Sequence, residues 1–211
     1  MAPMEQYYET MASTVIKGLE KRQIEGYYCK TSKDAVEKIM GMIPEGSSVA
    51  WGGSTTLTQT GMMDALKSSS LKLIDRSSAS SPEEKKALER ESFGANYYFM
   101  STNAITTDGE LVNIDGNGNR VAALVYGPDH VVILAGMNKV AADVEAAIKR
   151  VHTNAAPPNT MRLGLRTPCS QTGICKDCTS PDCICAHMVV TRFNRLQGRI
   201  KVFLIGEELG F

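Results

Sequence analysis

Five of the six cysteines in this chain, Cys169, Cys175, Cys178, Cys183 and Cys185, follow one another as C-x5-C-x2-C-x4-C-x-C. Thiolates at this density point to a shared metal, and the run offers more sulfurs than the four that a tetrahedral zinc or a cubane iron–sulfur cluster takes. Gly173, Ser180 and Pro181 place turns between them, so the segment can fold around a centre instead of lying along a helix. Zinc ribbons use two C-x2-C knuckles separated by a longer loop. Here one C-x2-C sits inside a single compact segment, which favours an iron–sulfur cluster, with zinc as the alternative. A redox dithiol or disulfide is the competing chemistry. His187 could complete a three-cysteine, one-histidine set, although enough sulfurs are already present. Arg162, Arg166, Lys176, Arg192 and Arg195 flank the run, either to offset the negative charge of thiolates around a cluster or as a solvated basic surface. Cys29, alone beside Tyr27 and Tyr28, reads as a small packed hydrophobe.

A second candidate is the turn Gly52-Gly53-Ser54-Thr55-Thr56. It is neither a Walker loop nor a G-x-G-x-x-G fingerprint. Yet it joins an apolar strand to a helix, and two glycines and three hydroxyls there could cradle phosphate or carboxylate, or simply make a tight turn. Asn103, Asp108, Glu110, Asn113 and Asp115 concentrate polar groups in a stretch that otherwise reads as buried β-structure, and such groups can line a cleft. The expected ligand-binding set is therefore Gly52, Gly53, Ser54, Thr55, Thr56, Asn103, Glu110, Asn113 and Asp115, holding a small anion. Asp115-Gly116-Asn117-Gly118-Asn119 resembles a calcium loop only superficially, because Arg120 and Tyr126 stand where an EF-hand needs Gly and Glu. Hairpin turns are expected there.

These groups need a scaffold, and the composition supplies one. The chain has 211 residues, 43% of them hydrophobic and 22% charged, which suits one globular α/β domain across 1–211 with a cysteine-rich segment at 167–187. Lys plus Arg and Asp plus Glu are 23 each, so no net basic field draws the chain to nucleic acid. The segment Met1–Arg22 carries charges throughout and reads as neither signal peptide nor anchor. The longest apolar runs fall well short of the ~18 residues of a membrane span. The expected location is the cytoplasm, where clustered cysteines favour metal or redox chemistry over a disulfide framework. Oligomeric state is left open.

Helical spacing is expected from Tyr7 to Leu19, ended by Gly26, and again after Thr31-Ser32 up to Pro44. Val49-Ala50-Trp51 reads as a buried strand, followed by one helix carrying Leu57, Met62, Met63 and Leu66, then a strand over 71–75. Ser81-Pro82-Glu83-Glu84 combines an N-cap, Pro at the first helical position and Glu three residues after the cap. From Tyr97 to Asn119 the turn pairs Asp108-Gly109, Asp115-Gly116 and Asn117-Gly118 suggest meandering hairpins. Val131–Leu134 is a strand, and a helix after Gly136 spaces Val140, Val144, Ile148 and Val151. Pro157-Pro158 breaks regular structure over 152–168, and the cysteine segment hangs beyond it. Arg199–Ile205 returns as a final strand. The alternation predicts a mostly parallel sheet with helices on both faces.

Taken together, Gly52–Thr56, the stretch Asn103-Ala104-Ile105-Thr106-Thr107-Asp108-Gly109-Glu110-Leu111-Val112-Asn113-Ile114-Asp115-Gly116 and the run Ala135-Gly136-Met137-Asn138-Lys139 resemble the lactate-utilisation domain family, with Thr167-Pro168-Cys169 and the later cysteines extending the match. The resemblance covers roughly residues 10–210. It implies a fold related to the ribose-phosphate isomerase, glucosamine-phosphate deaminase and CoA-transferase group, whose members bind anions at strand-to-helix loops. It also implies a role in oxidising lactate to pyruvate with iron–sulfur partner subunits. Family members with the cysteine segment match at Cys169, Cys175, Cys178 and Cys185, with arginine in the place of Cys183, so Cys183 competes with Cys185 as fourth ligand. The resemblance assigns no catalytic residue. It leaves an alternative, an isomerase or transferase acting on a phosphorylated or acyl-CoA ligand with a structural zinc.

Overall fold

The computed structural model describes residues 2–211. In chain order its elements are α1 (Pro3–Lys21), β1 (Glu25–Cys29), α2 (Ser32–Met40), β2 (Ser48–Trp51), α3 (Thr55–Gln59), α4 (Met62–Lys67), β3 (Lys72–Ile74), α5 (Pro82–Glu91), β4 (Tyr97–Met100), β5 (Ala104–Thr106), β6 (Leu111–Asp115), α6 (Asn119–Val125), β7 (His130–Gly136), β8 (Val140–Ala141), α7 (Val144–Arg150), α8 (Ala156–Arg162), α9 (Pro168–Thr172), β9 (His187–Thr191) and β10 (Ile200–Ile205). No helix among the described residues is long and apolar enough to cross a membrane.

Six strands form one sheet in the order β1-β10-β7-β4-β2-β3, with every neighbouring pair parallel. The expected α/β class with a mostly parallel sheet is thus what the chain adopts. Strand residues alternate between faces, so each strand feeds two cores. Ile200, Val202 and Leu204 of β10, with Val131, Ile133 and Ala135 of β7, pack under α1 and α6. Phe203 and Ile205, with Val132 and Leu134, pack against α2, α3 and α4. Burial on both faces explains why β7 and β10 read as nearly continuous apolar runs.

A second sheet of four strands, β8-β5-β6-β9, stands beside the first, and its β5–β6 pair is the hairpin that Asp108-Gly109 signalled. Its turn docks on α1. A Cβ on Gly18 would lie 2.4 Å from the carbonyl carbon of Asp108, and one on Gly109 would lie 2.4 Å from the amide nitrogen of Leu19. Helix propensity alone would make Gly18→Ala stabilising by ~1 kcal/mol. The contact is backbone on backbone, however, so we expect a net loss of about 1–3 kcal/mol in thermal or urea melts; a raised midpoint would show that the hairpin yields.

Several expectations are corrected. Tyr97–Met100 joins the parallel sheet, not a hairpin region. Asn117-Gly118 opens α6: Gly118 sits at φ 80, and the Asp115 carboxylate accepts from the amides of Arg120 and Val121, each at 3.2 Å. The helix expected across 57–66 is broken at Gly61, φ 77, into α3 and α4. The helix after Gly136 begins only at Val144, because residues 137–141 form a short 3-10 turn and β8. Most instructive is 152–162, which is helical despite two prolines. Residues Val151–Ala155 form a wide π-turn closed by the Ala156 amide on the Val151 carbonyl, and Pro157 and Pro158 then fall in the first turn of α8, where amide hydrogens have no intrahelical partner. The strands β1 and β9 were not anticipated; both are edge strands with incomplete burial.

Candidate functional site

In a parallel sheet, ligands bind beyond the carboxyl ends of the strands, where consecutive connections leave in opposite directions. Here the chain leaves β2 towards β3, then crosses to β4 on the other side and continues to β7. The residues after β2, β4 and β7 meet at that point. They are Gly52–Thr56, Ser101–Asn103 and Met137–Lys139.

Lys139 is the buried cation of this region, 4% exposed. Its Nζ donates to Thr56 Oγ1 and Ser101 Oγ, both at 2.9 Å. The hydroxyls have no other choice, since Ser101 Oγ gives its own proton to the Leu134 carbonyl at 2.6 Å and Thr56 Oγ1 to that of Leu209 at 3.4 Å. No carboxylate forms an ion pair with Lys139 among the described residues. Burial, and then the charges of Arg150 and Arg120, push the amine down to about 7. A lysine so placed is a candidate for function, because structure has paid for a cation without giving it a counter-ion.

Arg120 serves a different purpose. Its guanidinium donates to Asn113 Oδ1 at 2.6 Å, Asn103 Oδ1 at 2.8 Å, and the carbonyls of Ile114 and Ser101 at 3.0 and 3.2 Å, with Asp115 at 3.9 Å as its counter-charge. It ties the loop after β4 to β6. Asn113, fully buried, spends its oxygen on Arg120, and its Nδ2 has no partner among the described residues. Arg150, on α7, donates to the main-chain oxygens of Asn138, Asn103 and Phe211, and likewise no Asp or Glu side chain pairs with it among the described residues.

The expected ligand set therefore divides. Thr56, Asn103, Asn113 and Asp115 come together around Lys139 and Arg120. Gly52 is architectural: its amide donates to the Phe99 carbonyl at 2.9 Å, and a Cβ there would meet Arg120 Cγ and Tyr98 Oη, both at 3.1 Å. Gly53 lies beside Arg76, and Ser54 caps α3 by accepting from the Leu57 amide. Thr55 opens that helix. Glu110 is elsewhere, paired with Arg22 at 3.1 Å under α1. Lys139 and Arg150 escaped sequence reasoning, although a lone lysine directly after a long apolar strand was a usable signal.

The cysteines lie along the neighbouring wall. Thr167 caps α9, Pro168 takes its first position and Gly173, φ 73, ends it, which buries Cys169 against the hydroxyls of Thr167 and Thr160. Cys175 Sγ faces His152 Nδ1 at 3.1 Å and accepts from the Asp177 amide at 3.4 Å. Cys183 Sγ accepts from the Cys185 amide at 3.4 Å, and Cys178 Sγ lies 3.6 Å from Ser180 Oγ. Burial, followed by repulsion from Cys183, Cys175 and Cys169, drives the Cys185 thiol up to about 12. All six cysteines are free thiols, and no group of three or more His, Cys, Asp or Glu among the described residues is gathered tightly enough to hold an ion as it stands. Thiols are the donor type that an iron–sulfur cluster or a soft metal takes, and main-chain amides point at Cys175 and Cys183. His187, in β9, sits under Gly118 instead of among the sulfurs. His152 is the unanticipated neighbour, presented by the π-turn.

The segment does not hang free. The Ala186 amide donates to the Asp115 carbonyl at 3.1 Å, Ile184 packs on Gly116, and β9 pairs with β6. Cys185 and Phe211 share a small cluster with Ile114, Val151 and Ala155. Since Phe211 also bonds Arg150, the cysteine wall and the sheet-end cations are adjacent.

A family model described as the LUD domain matches residues 12–205. No curated protein matches. Among solved structures, similarity extends to a DUF162 family protein from Deinococcus radiodurans, 10% identical over 94% of this chain and 96% of that one with a TM-score of 0.49. Similarity also extends to eIF2B delta from Chaetomium thermophilum, 16% identical over 52% and 48% with a TM-score of 0.34.

Proposed function

The chain belongs to the LUD domain family, and on that premise we propose that it is a cytoplasmic lactate-utilisation protein, a redox component in the oxidation of lactate or a related 2-hydroxy acid. Its cysteine segment carries an iron–sulfur cluster on Cys169, Cys175, Cys178 and either Cys185 or Cys183. The observation that supports this reading best is adjacency: Cys185 and Phe211 pack together on Ile114 and Val151, and Phe211 is held by Arg150 at the sheet end. An acid bound there would lie beside the thiolates. Converting a 2-hydroxy to a 2-oxo acid releases two electrons and two protons, and a cubane cluster, when bound, passes electrons singly. Iron–sulfur partner subunits are the acceptors this reading requires. The chain's own residues supply an anion site, a hydrogen-bonded bed for thiolates, and the close packing between them.

The α/β core is complete without the segment, since both faces of the sheet are filled by residues outside 167–187. Anaerobically purified protein is therefore expected to be brown and to bleach with dithionite. Replacing all five clustered cysteines by serine should remove iron and sulfide while leaving far-UV circular dichroism and cooperative melting intact. A colourless protein that takes up no iron on anaerobic reconstitution would overturn the redox reading. Zinc in its place, with collapse of secondary structure on chelation, would favour the isomerase or transferase alternative.

A further inference from the structure

The residues after β10 run directly over Lys139. Glu207 anchors them, its carboxylate accepting from the amide and hydroxyl of Ser32 at 2.8 and 2.6 Å and its carbonyl from the Met137 amide at 3.0 Å. The Leu209 amide donates to Asn138 Oδ1 at 3.1 Å and the Gly210 amide to Gln59 Oε1 at 2.6 Å. Gly210 adopts φ 64, and a Cβ on it would lie 2.5 Å from Thr56 Oγ1 and 3.2 Å from Lys139 Nζ, so only a bare main chain fits.

Two main-chain oxygens from this stretch face the cation site. That of Leu209 accepts from Thr56 Oγ1 at 3.4 Å and that of Phe211 from Arg150 at 3.3 Å. Both bonds are long, so the two oxygens hold their partners loosely. Arg120 is not available to a ligand, because Asn113, Asn103 and two carbonyls already use its donors. Lys139 and Arg150 remain as the cations of this site that no Asp or Glu side chain pairs among the described residues.

We propose that Lys139 and Arg150 form the subsite for the carboxylate of a small 2-hydroxy or 2-oxo acid, and that Leu209–Phe211 is a cover whose two main-chain oxygens hold the places of ligand oxygens until the acid displaces them. The acid class rests on the lactate-oxidation reading above. The subsite and its cover rest on the contacts alone. Arg150 offers the fork that suits a carboxylate, Lys139 offers the remaining N–H of its ammonium form, and Thr56 is freed to donate to the acid once Leu209 leaves. Because the covered amine rests largely neutral above pH 7, binding an anion beside it draws in a proton from solvent.

The test is calorimetric titration of the full chain with lactate, pyruvate and inorganic phosphate. Pyruvate or lactate is expected to bind, and to bind at least tenfold more weakly to Lys139→Met and to Arg150→Met, each first shown to melt cooperatively. Gly210→Val, whose side chain cannot seat beside Thr56, is expected to bind at least threefold more tightly. Unchanged affinity in Lys139→Met overturns the subsite, and unchanged or weaker affinity in Gly210→Val overturns the cover. Absence of acid binding in both wild type and Gly210→Val overturns the whole proposal, and phosphate bound in preference to either acid overturns the carboxylate assignment. Iron content separates this proposal from the reading it rests on. Iron-loaded protein that ignores both acids refutes the subsite alone, whereas acid bound at Lys139 in protein that never takes up iron refutes the redox role and leaves the subsite standing.

Discussion

Urea melts of the wild type and of Lys139→Met are expected to diverge with pH, the wild type gaining stability between about pH 7 and pH 10 while the variant gains none from this source. The amine ionises near 10.5 in the unfolded chain and near 7 in the fold. Between those values the unfolded chain holds a proton that the native state has shed, so unfolding takes up a proton and stability rises with pH. Below pH 7 both states are protonated and the full cost of the buried charge is present. At ~1.4 kcal/mol per pH unit the span reaches up to ~5 kcal/mol, an upper bound for so buried a group. The groups that face the amine are Arg150 and Arg120, which add to the effect; ionisable groups elsewhere in the fold are common to both proteins, and the difference between the two curves removes them. Parallel stability curves would mean that Lys139 stays charged and solvated.

Arg120→Met is expected to lower stability by about 3–5 kcal/mol, a large share of the ~5–15 kcal/mol that folded domains commonly have. Its side chain is 12% exposed, and removing it strands Asn113 Oδ1 and the carbonyls of Ser101 and Ile114 and leaves Asp115 without its cation. Arg120→Lys should recover little, since an ammonium cannot span acceptors on both the loop after β4 and β6. The measurement is the urea midpoint with its slope. A loss below ~1 kcal/mol, or full rescue by lysine, would show that the network is ornamental to the fold.

Local signals were legible wherever the chain answers to its own neighbours. Thr31 and Ser81 cap the helices they announce, accepting from the amides of Asp34 and Glu84. The apolar runs at 49–51, 131–134 and 200–205 are strands, buried on both faces. Where the outcome was set by distant contacts, the sequence was ambiguous. Among the described residues the edge strand β1 pairs with β10 alone, more than 170 residues on. Asn117-Gly118 has hairpin chemistry, yet an aspartate carboxylate turned it into a helix start. The candidate site shows the same division. Thr56, Asn103, Asn113 and Asp115 were found because polar residues in apolar surroundings stand out, whereas Lys139 and Arg150 resemble ordinary solvated cations until the tertiary fold buries one and sets both apart from acidic side chains. Glu110 stood out equally and proved to be a strut for Arg22.

The position of β10 also governs how this chain must be made. Although it comes late in the sequence, it lies inside the sheet, between β1 and β7, and it is the sole partner of β1. Until residues 200–205 are in place, β1 lacks the strand it pairs with and the flank of β7 that faces β10 is open. Closure is a late, long-range event with a large loop-closure cost, and unpaired strand flanks invite association before it occurs.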